Sequence, residues 1–191
     1  MAIQRVAKFA LPLAFALTTA VAQAACIPVT GTVKLLPDAT CQIGAASGNS
    51  SGLTGECYST TLNMLGFPVG SGYSGITNDP LMGVDGKVTA TPAVLPVDAV
   101  TPIPRQIVQT ARSAITVGGG HRKTTLYTSD VITVQPKVNA DGSITPVGVT
   151  EQIAIVGTDG KGMLAGATGT LVVLGYSVGQ SAPVVGRLCT P

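Results

Sequence analysis

The sequence predicts an all-β protein with one domain, and three observations carry that prediction. Val-, Ile- and Leu-rich runs recur, punctuated by Gly, Asn and Asp at turn positions. Beyond the first 24 residues no segment combines a 3.6-residue apolar period with helix caps. The stretch EQIAIVGTDGKGMLAGATGTLVVLG, 151–175, sets two apolar strands around a Gly-rich connection. Regular turns without helices argue for a β-sandwich or a β-barrel. No internal repeat or second core interrupts residues 25–191, which are read as a single domain.

The strands are justified in order. VTGTVKLL, 29–36, is the first. Residues 38–56, rich in Gly, Ser and Ala, form a long loop, and Cys57–Leu65 the next strand. GFPVGSGYSG, 66–75, is turn-rich, and 76–82 is irregular around Asn78-Asp79-Pro80. Lys87–Ala90 is a short strand. Pro92, Pro96, Pro102 and Pro104 keep 91–104 out of any central ladder, as an extended edge or crossover. Four longer strands follow: 106–117, 123–134, 144–156 and 169–178. They are separated by Gly118-Gly119-Gly120, by Asn139–Gly142 and by the turn signal Asp159-Gly160. Small residues at 165–169 suit a strand whose backbone lies close to a neighbour.

The first 24 residues read as a signal peptide. Arg5 and Lys8 form a positive start, Phe9–Val21 an apolar run, and Ala22-Gln23-Ala24 a cleavage site. The protein is therefore expected to be exported, to a periplasm or outside the cell. A lipid anchor at Cys26 is disfavoured, because Gln23 stands where a lipobox wants an apolar residue. The apolar run is too short for a membrane span, and no later one qualifies. Of eleven Lys and Arg side chains, Arg5 and Lys8 leave with the signal, so basic and acidic groups then balance. A neutral chain has no electrostatic footprint for nucleic acid or anionic membrane. With no Trp, and Phe67, Tyr58, Tyr73, Tyr127 and Tyr176 the aromatics left, it also lacks stacking platforms for single strands.

Four cysteines, Cys26, Cys41, Cys57 and Cys189, follow the signal, and an even count in an exported chain favours disulfides. Three connectivities are open. The favoured one ties Cys26 to Cys189 across the chain ends and Cys41 to Cys57 around the Gly/Ser-rich loop. With one His and no C-x-x-C, no metal site is expected, and no cofactor.

Within 153–169 the chain resembles the dirigent and allene oxide cyclase barrels. Ile155-Val156-Gly157-Thr158-Asp159-Gly160 stands where those families carry V-G-G-T-G, and Met163–Gly169 where they carry F-x-x-A-x-G. Asp159 and Met163-Leu164 depart from the pattern. LYTSDVITVQP, 126–136, looks like the strand before it, and the cysteines near both ends resemble the dirigent layout. The resemblance covers about 105–178. It implies a single antiparallel eight-stranded β-barrel, often oligomeric, with a cavity at one mouth, and a β-sandwich remains the alternative. The family's pocket residues do not carry over.

Candidate catalytic residues are Asp130, Arg105, Tyr127 and Glu151. Asp130 would be a desolvated acid if it faces a barrel interior, and strand parity puts it on one face with Leu126 and Thr128, opposite Tyr127. His121 and Arg122, at the Gly-rich turn, are candidate ligand-binding residues, since backbone amides there could cradle an anion. No nucleophile motif accompanies His121. The expectation is a non-catalytic exported barrel that binds a small apolar ligand or a protein partner, with a homo-oligomer as a further expectation. The alternatives are a dirigent- or cyclase-like barrel enzyme, and a surface or fimbrial subunit assembling by strand addition.

Overall fold

The computed structural model of the protein describes residues 25–40, 53–93, 95 and 102–191, with backbone alone for 53–55. The signal segment, Cys41, and half of the 91–104 crossover lie outside the described residues. Ten strands run β1 Ala25–Pro37, β2 Leu53–Met64, β3 Phe67–Thr77, β4 Leu81–Met82, β5 Val88–Ala90, β6 Ile107–Val117, β7 Thr124–Val138, β8 Ile144–Thr158, β9 Thr168–Leu174 and β10 Ser181–Thr190. Eight close into an antiparallel barrel in the order β1-β10-β9-β8-β7-β6-β3-β2, and β4 and β5 form a separate two-stranded sheet. The architecture is thus the barrel and not the sandwich.

Closure follows from alternation. Inward positions are filled by Val29, Val33 and Leu35 on β1, Leu62 on β2, Leu126 and Val134 on β7, Val173 on β9, and Ala182, Val184 and Leu188 on β10, all buried. Side chains of a strand alternate between faces, so this parity fixes which half of each strand the core sees. Gly72 and Gly186 also fall on inward positions. A Cβ at Gly72 would meet the Ala114 carbonyl oxygen, and one at Gly186 the Thr170 carbonyl oxygen. Glycine there lets neighbouring strands coil tightly enough to close a small barrel.

The structure corrects three readings of the sequence. Most of the turn-rich stretch 66–75 is the body of β3, paired with β2 from Phe67 and with β6 from Gly70 onward. Its glycines serve close packing, so turn propensity loses to tertiary contact. The strands do not end at Val178: β9 stops at Leu174, and β10 then pairs with both β9 and β1 to complete the cylinder. Asp159-Gly160 is not a tight hairpin. Residues 159–167 form a longer connection, and the small residues before Thr168 belong to it rather than to a strand. Thr124 holds that connection: its hydroxyl donates to the Lys161 carbonyl at 2.7 Å and accepts from Leu164 N–H at 3.1 Å.

Cys26 and Cys189 are direct partners in the β1–β10 ladder and form a disulfide, with Cα atoms 3.9 Å apart and a sequence separation of 163. Cys57 is also disulfide-bonded. The fourth cysteine, Cys41, lies outside the described residues.

Candidate functional site

The barrel interior is unequally filled. Toward the end that carries the Cys26–Cys189 bridge, Val29, Leu126, Ile155, Ala167 and Leu188 pack into one apolar cluster, backed by Met64 and Leu164. Above it Val33, Leu35, Leu62, Val173, Ala182 and Val184 continue the core. Toward the other end the packing gives out into a cavity of about 430 Å³. Its wall includes Ile76 from β3, Gln109 and Ala111 from β6, Ile132 and Val134 from β7, Val149 and Glu151 from β8, and Tyr176 from the β9–β10 connection. That size, with a mostly aliphatic lining and a few polar groups, matches a small-molecule site.

A buried polar chain crosses the barrel at the base of this cavity. Inward hydroxyls on adjacent strands link hand to hand: Thr60 and Ser74 at 2.9 Å, then Ser74 and Ser113 at 2.8 Å. The Ser113 hydroxyl donates to Asp130 Oδ2 at 2.9 Å, and Thr128 donates to the same oxygen at 3.0 Å. Thr128 is itself held by the Ser113 backbone N–H at 3.1 Å. Asp130 is 1% exposed, and its other oxygen, Oδ1, is buried without a hydrogen-bond partner among the described residues. In native structures such an orphan calls for an explanation. Ser74 and Ala111, the latter directly opposite Asp130 in the β6–β7 ladder, line the cavity, so Asp130 sits immediately beneath its floor.

Glu151 supplies a second inward carboxyl. In the β7–β8 ladder Asp130 faces Ile153 and Ile132 faces Glu151, which makes the two acids diagonal neighbours on one face. Glu151 is partly exposed, and the cavity is what it is exposed to. Burial pushes the Asp130 acid up to about 7, against the hydrogen bonds from Thr128 and Ser113, which hold it down. Burial also pushes Glu151 up to about 8, and the charge of Asp130 adds to it. The two ion pairs among the described residues, Arg112–Asp79 and Lys87–Asp85, involve neither acid. At the rim the Tyr58 hydroxyl donates to Glu56 Oε2 at 3.3 Å. Desolvation, with the charges of Glu56 and Tyr176, pushes that phenol up to about 12.

Of the residues singled out from sequence, the fold brings Asp130 and Glu151 together and leaves the rest apart. Tyr127 is on the outer face of β7, in a shallow groove with Ser59, Tyr73, Thr116 and Lys123. Arg105 is exposed at a bend before β6. His121 and Arg122 form an exposed 3-10 turn between β6 and β7, at the packed end, away from the cavity. No cluster of three metal-ligating side chains occurs among the described residues.

Sequence reasoning missed Thr60, Ser74, Ser113, Thr128, Tyr58 and Tyr176. The signal for Thr128 was available, since Leu126, Thr128 and Asp130 share parity. Nothing local marks Ser74 or Ser113, whose role depends on cross-strand register. No protein-family model, no curated protein and no solved structure matches the chain.

Proposed function

We propose that the protein is an exported, non-catalytic barrel that holds a small, mainly apolar molecule in its open end. The observation that carries this is the cavity of about 430 Å³ lined by Ile76, Ile132, Val134 and Val149, in a barrel whose other end is packed solid. A well-formed apolar concavity with few convergent polar groups is the form small-molecule sites take. Export is supported by the signal-like start and by the Cys26–Cys189 disulfide, a bond that persists in oxidising compartments. Among the described residues no helix is long and apolar enough to cross a membrane. The test uses the fluorescent neutral probe Nile red, with 1-octanol as competitor. Binding is expected to saturate at one probe per chain, to be displaced by octanol, and to be lost in Ile132→Trp, where the indole fills the cavity. Equal Nile red binding by the wild type and a folded Ile132→Trp protein would refute the reading.

A second reading, a cyclase- or dirigent-like barrel acting on its ligand, is favoured by the paired acids, since one protonated and one ionised carboxyl at a single cavity can serve as acid and base. It requires turnover or stereochemical bias that Asp130→Asn removes while Nile red still binds. The surface-subunit reading finds less support, because the eight barrel strands leave no free edge for strand addition.

A further inference from the structure

Among the described residues the two inward carboxyls have no positive partner. The ionisable side chains facing the cavity are Glu56 and Tyr58 from β2, Glu151 from β8 and Tyr176 from the β9–β10 connection, with Asp130 of β7 beneath the floor. None is cationic. Arg105 and Lys123 lie outside the barrel interior, and Arg112 is engaged with Asp79 at 2.7 Å. Burying two acids beside each other is unfavourable without a compensating charge. Oδ1 of Asp130 adds a second deficit: a buried oxygen with no hydrogen-bond partner among the described residues.

Resting on the ligand-binding reading above, we infer that the cavity's ligand is a small amine with an apolar body, its ammonium seated at Glu151 over Asp130. An ammonium supplies three N–H donors and a positive charge beside Glu151, and that charge favours the ionised form of Asp130 beneath the floor. Its hydrocarbon part meets Ile76, Ile132 and Val149. An alcohol of the same shape offers a donor but no charge. A carboxylate brings a negative charge into a cavity whose described lining offers no cation to meet it, and it also disfavours ionisation of the two acids. Because burial raises both empty-site acids toward the protonated form, an entering ammonium favours their ionised form and expels a proton.

The experiment is calorimetry at pH 7 with three matched probes, octylamine, 1-octanol and octanoate, each in two buffers of different ionisation enthalpy. Octylamine is an ammonium at this pH, as a lysine side chain is. The expected result is octylamine tighter than octanol by about tenfold or more, octanoate weakest, and proton release with the amine alone. Glu151→Gln should bring octylamine to the octanol level and suppress proton release, while a far-ultraviolet circular dichroism spectrum matching the wild type's reports an intact barrel. Asp130→Asn should reduce the amine preference by a smaller factor. Octylamine no tighter than octanol in the wild type, or a preference that survives Glu151→Gln, overturns the amine inference and leaves the ligand-binding reading standing. If octanol and octylamine both fail to bind, the ligand-binding reading falls and this inference falls with it.

Discussion

The two ends of the barrel are made from the same strands and do different work. At the packed end Leu126, Ile155, Ala167 and Leu188 interlock, and Thr124, fully buried, clamps the 159–167 connection over them. At the open end the same β7 and β8 present Ile132, Val134 and Val149 to empty space, with Asp130 and Glu151 between. One end is pinned by Cys26–Cys189, where β1 begins and β10 ends. The difference teaches where the fold's stability resides: apolar burial concentrated at one end supports desolvated carboxyls and unfilled volume at the other. Cavities and unpaired polar groups are costly, and this barrel keeps both at one mouth, which is why the proposed ligand is placed there.

The sharpest way to break the comparison is to release the packed end. Replacing both Cys26 and Cys189 by Ser should cost about 4 kcal/mol, as expected for a bridge closing a long loop. Urea unfolding would read it, and a change below about 1 kcal/mol would show that the pin is dispensable. Next comes a matched pair of truncations. Leu126→Ala should destabilise by about 3 kcal/mol, because its neighbours cannot collapse onto the void. Ile132→Ala should cost only about 1 kcal/mol, since its side chain already borders a cavity. Equal losses would erase the proposed contrast.

The open end should also give the protein a pH dependence of definite sign. Both acids titrate near 4 when unfolded and are raised to about 7 and about 8 when folded. Between those limits the folded chain binds more protons than the unfolded one, so stability falls as pH rises. This contribution is complete below about pH 4 and is lost once the pH has passed about 8. We expect a progressive loss of stability across that window, read by urea unfolding at a series of pH values. The double variant Asp130→Asn with Glu151→Gln should flatten the profile; parallel profiles would contradict the assignment. The smallest effect belongs to the outer surface. Asp79→Ala, which breaks the half-exposed Arg112–Asp79 pair, should cost about 0.5 kcal/mol, and less at high salt.

Much of the barrel was legible because its signals are local. β6, β7 and β8 announce themselves as Val/Ile/Thr runs between Gly or Asn-Asp turns, and the observed strands cover those runs. β3 was not legible, because its glycines read as turns until β2 and β6 are laid beside them. β10 was missed although Ala182, Val184 and Leu188 alternate, since Pro183 and Gly186 interrupt the run. At the site, Asp130 and Glu151 could be named as candidates from sequence, but their pairing could not. They are twenty-one positions apart, and only the β7–β8 register, which passes two irregularities, makes them neighbours. Tyr127 and Arg105 were equally eligible by composition, and strand parity and an exposed bend remove them from the cavity.

By itself the sequence determined that the chain is all-β, that cysteines near its two ends are available for bonding, and that single acids fall within strands. Those properties depend on residue type and short-range alternation. The tertiary structure decided that the sheet closes on itself, which end is filled, and that two acids share one unfilled mouth. Those outcomes depend on register and coiling summed around eight strands, and a shift of one residue in any ladder would turn every side chain on that strand to the opposite face.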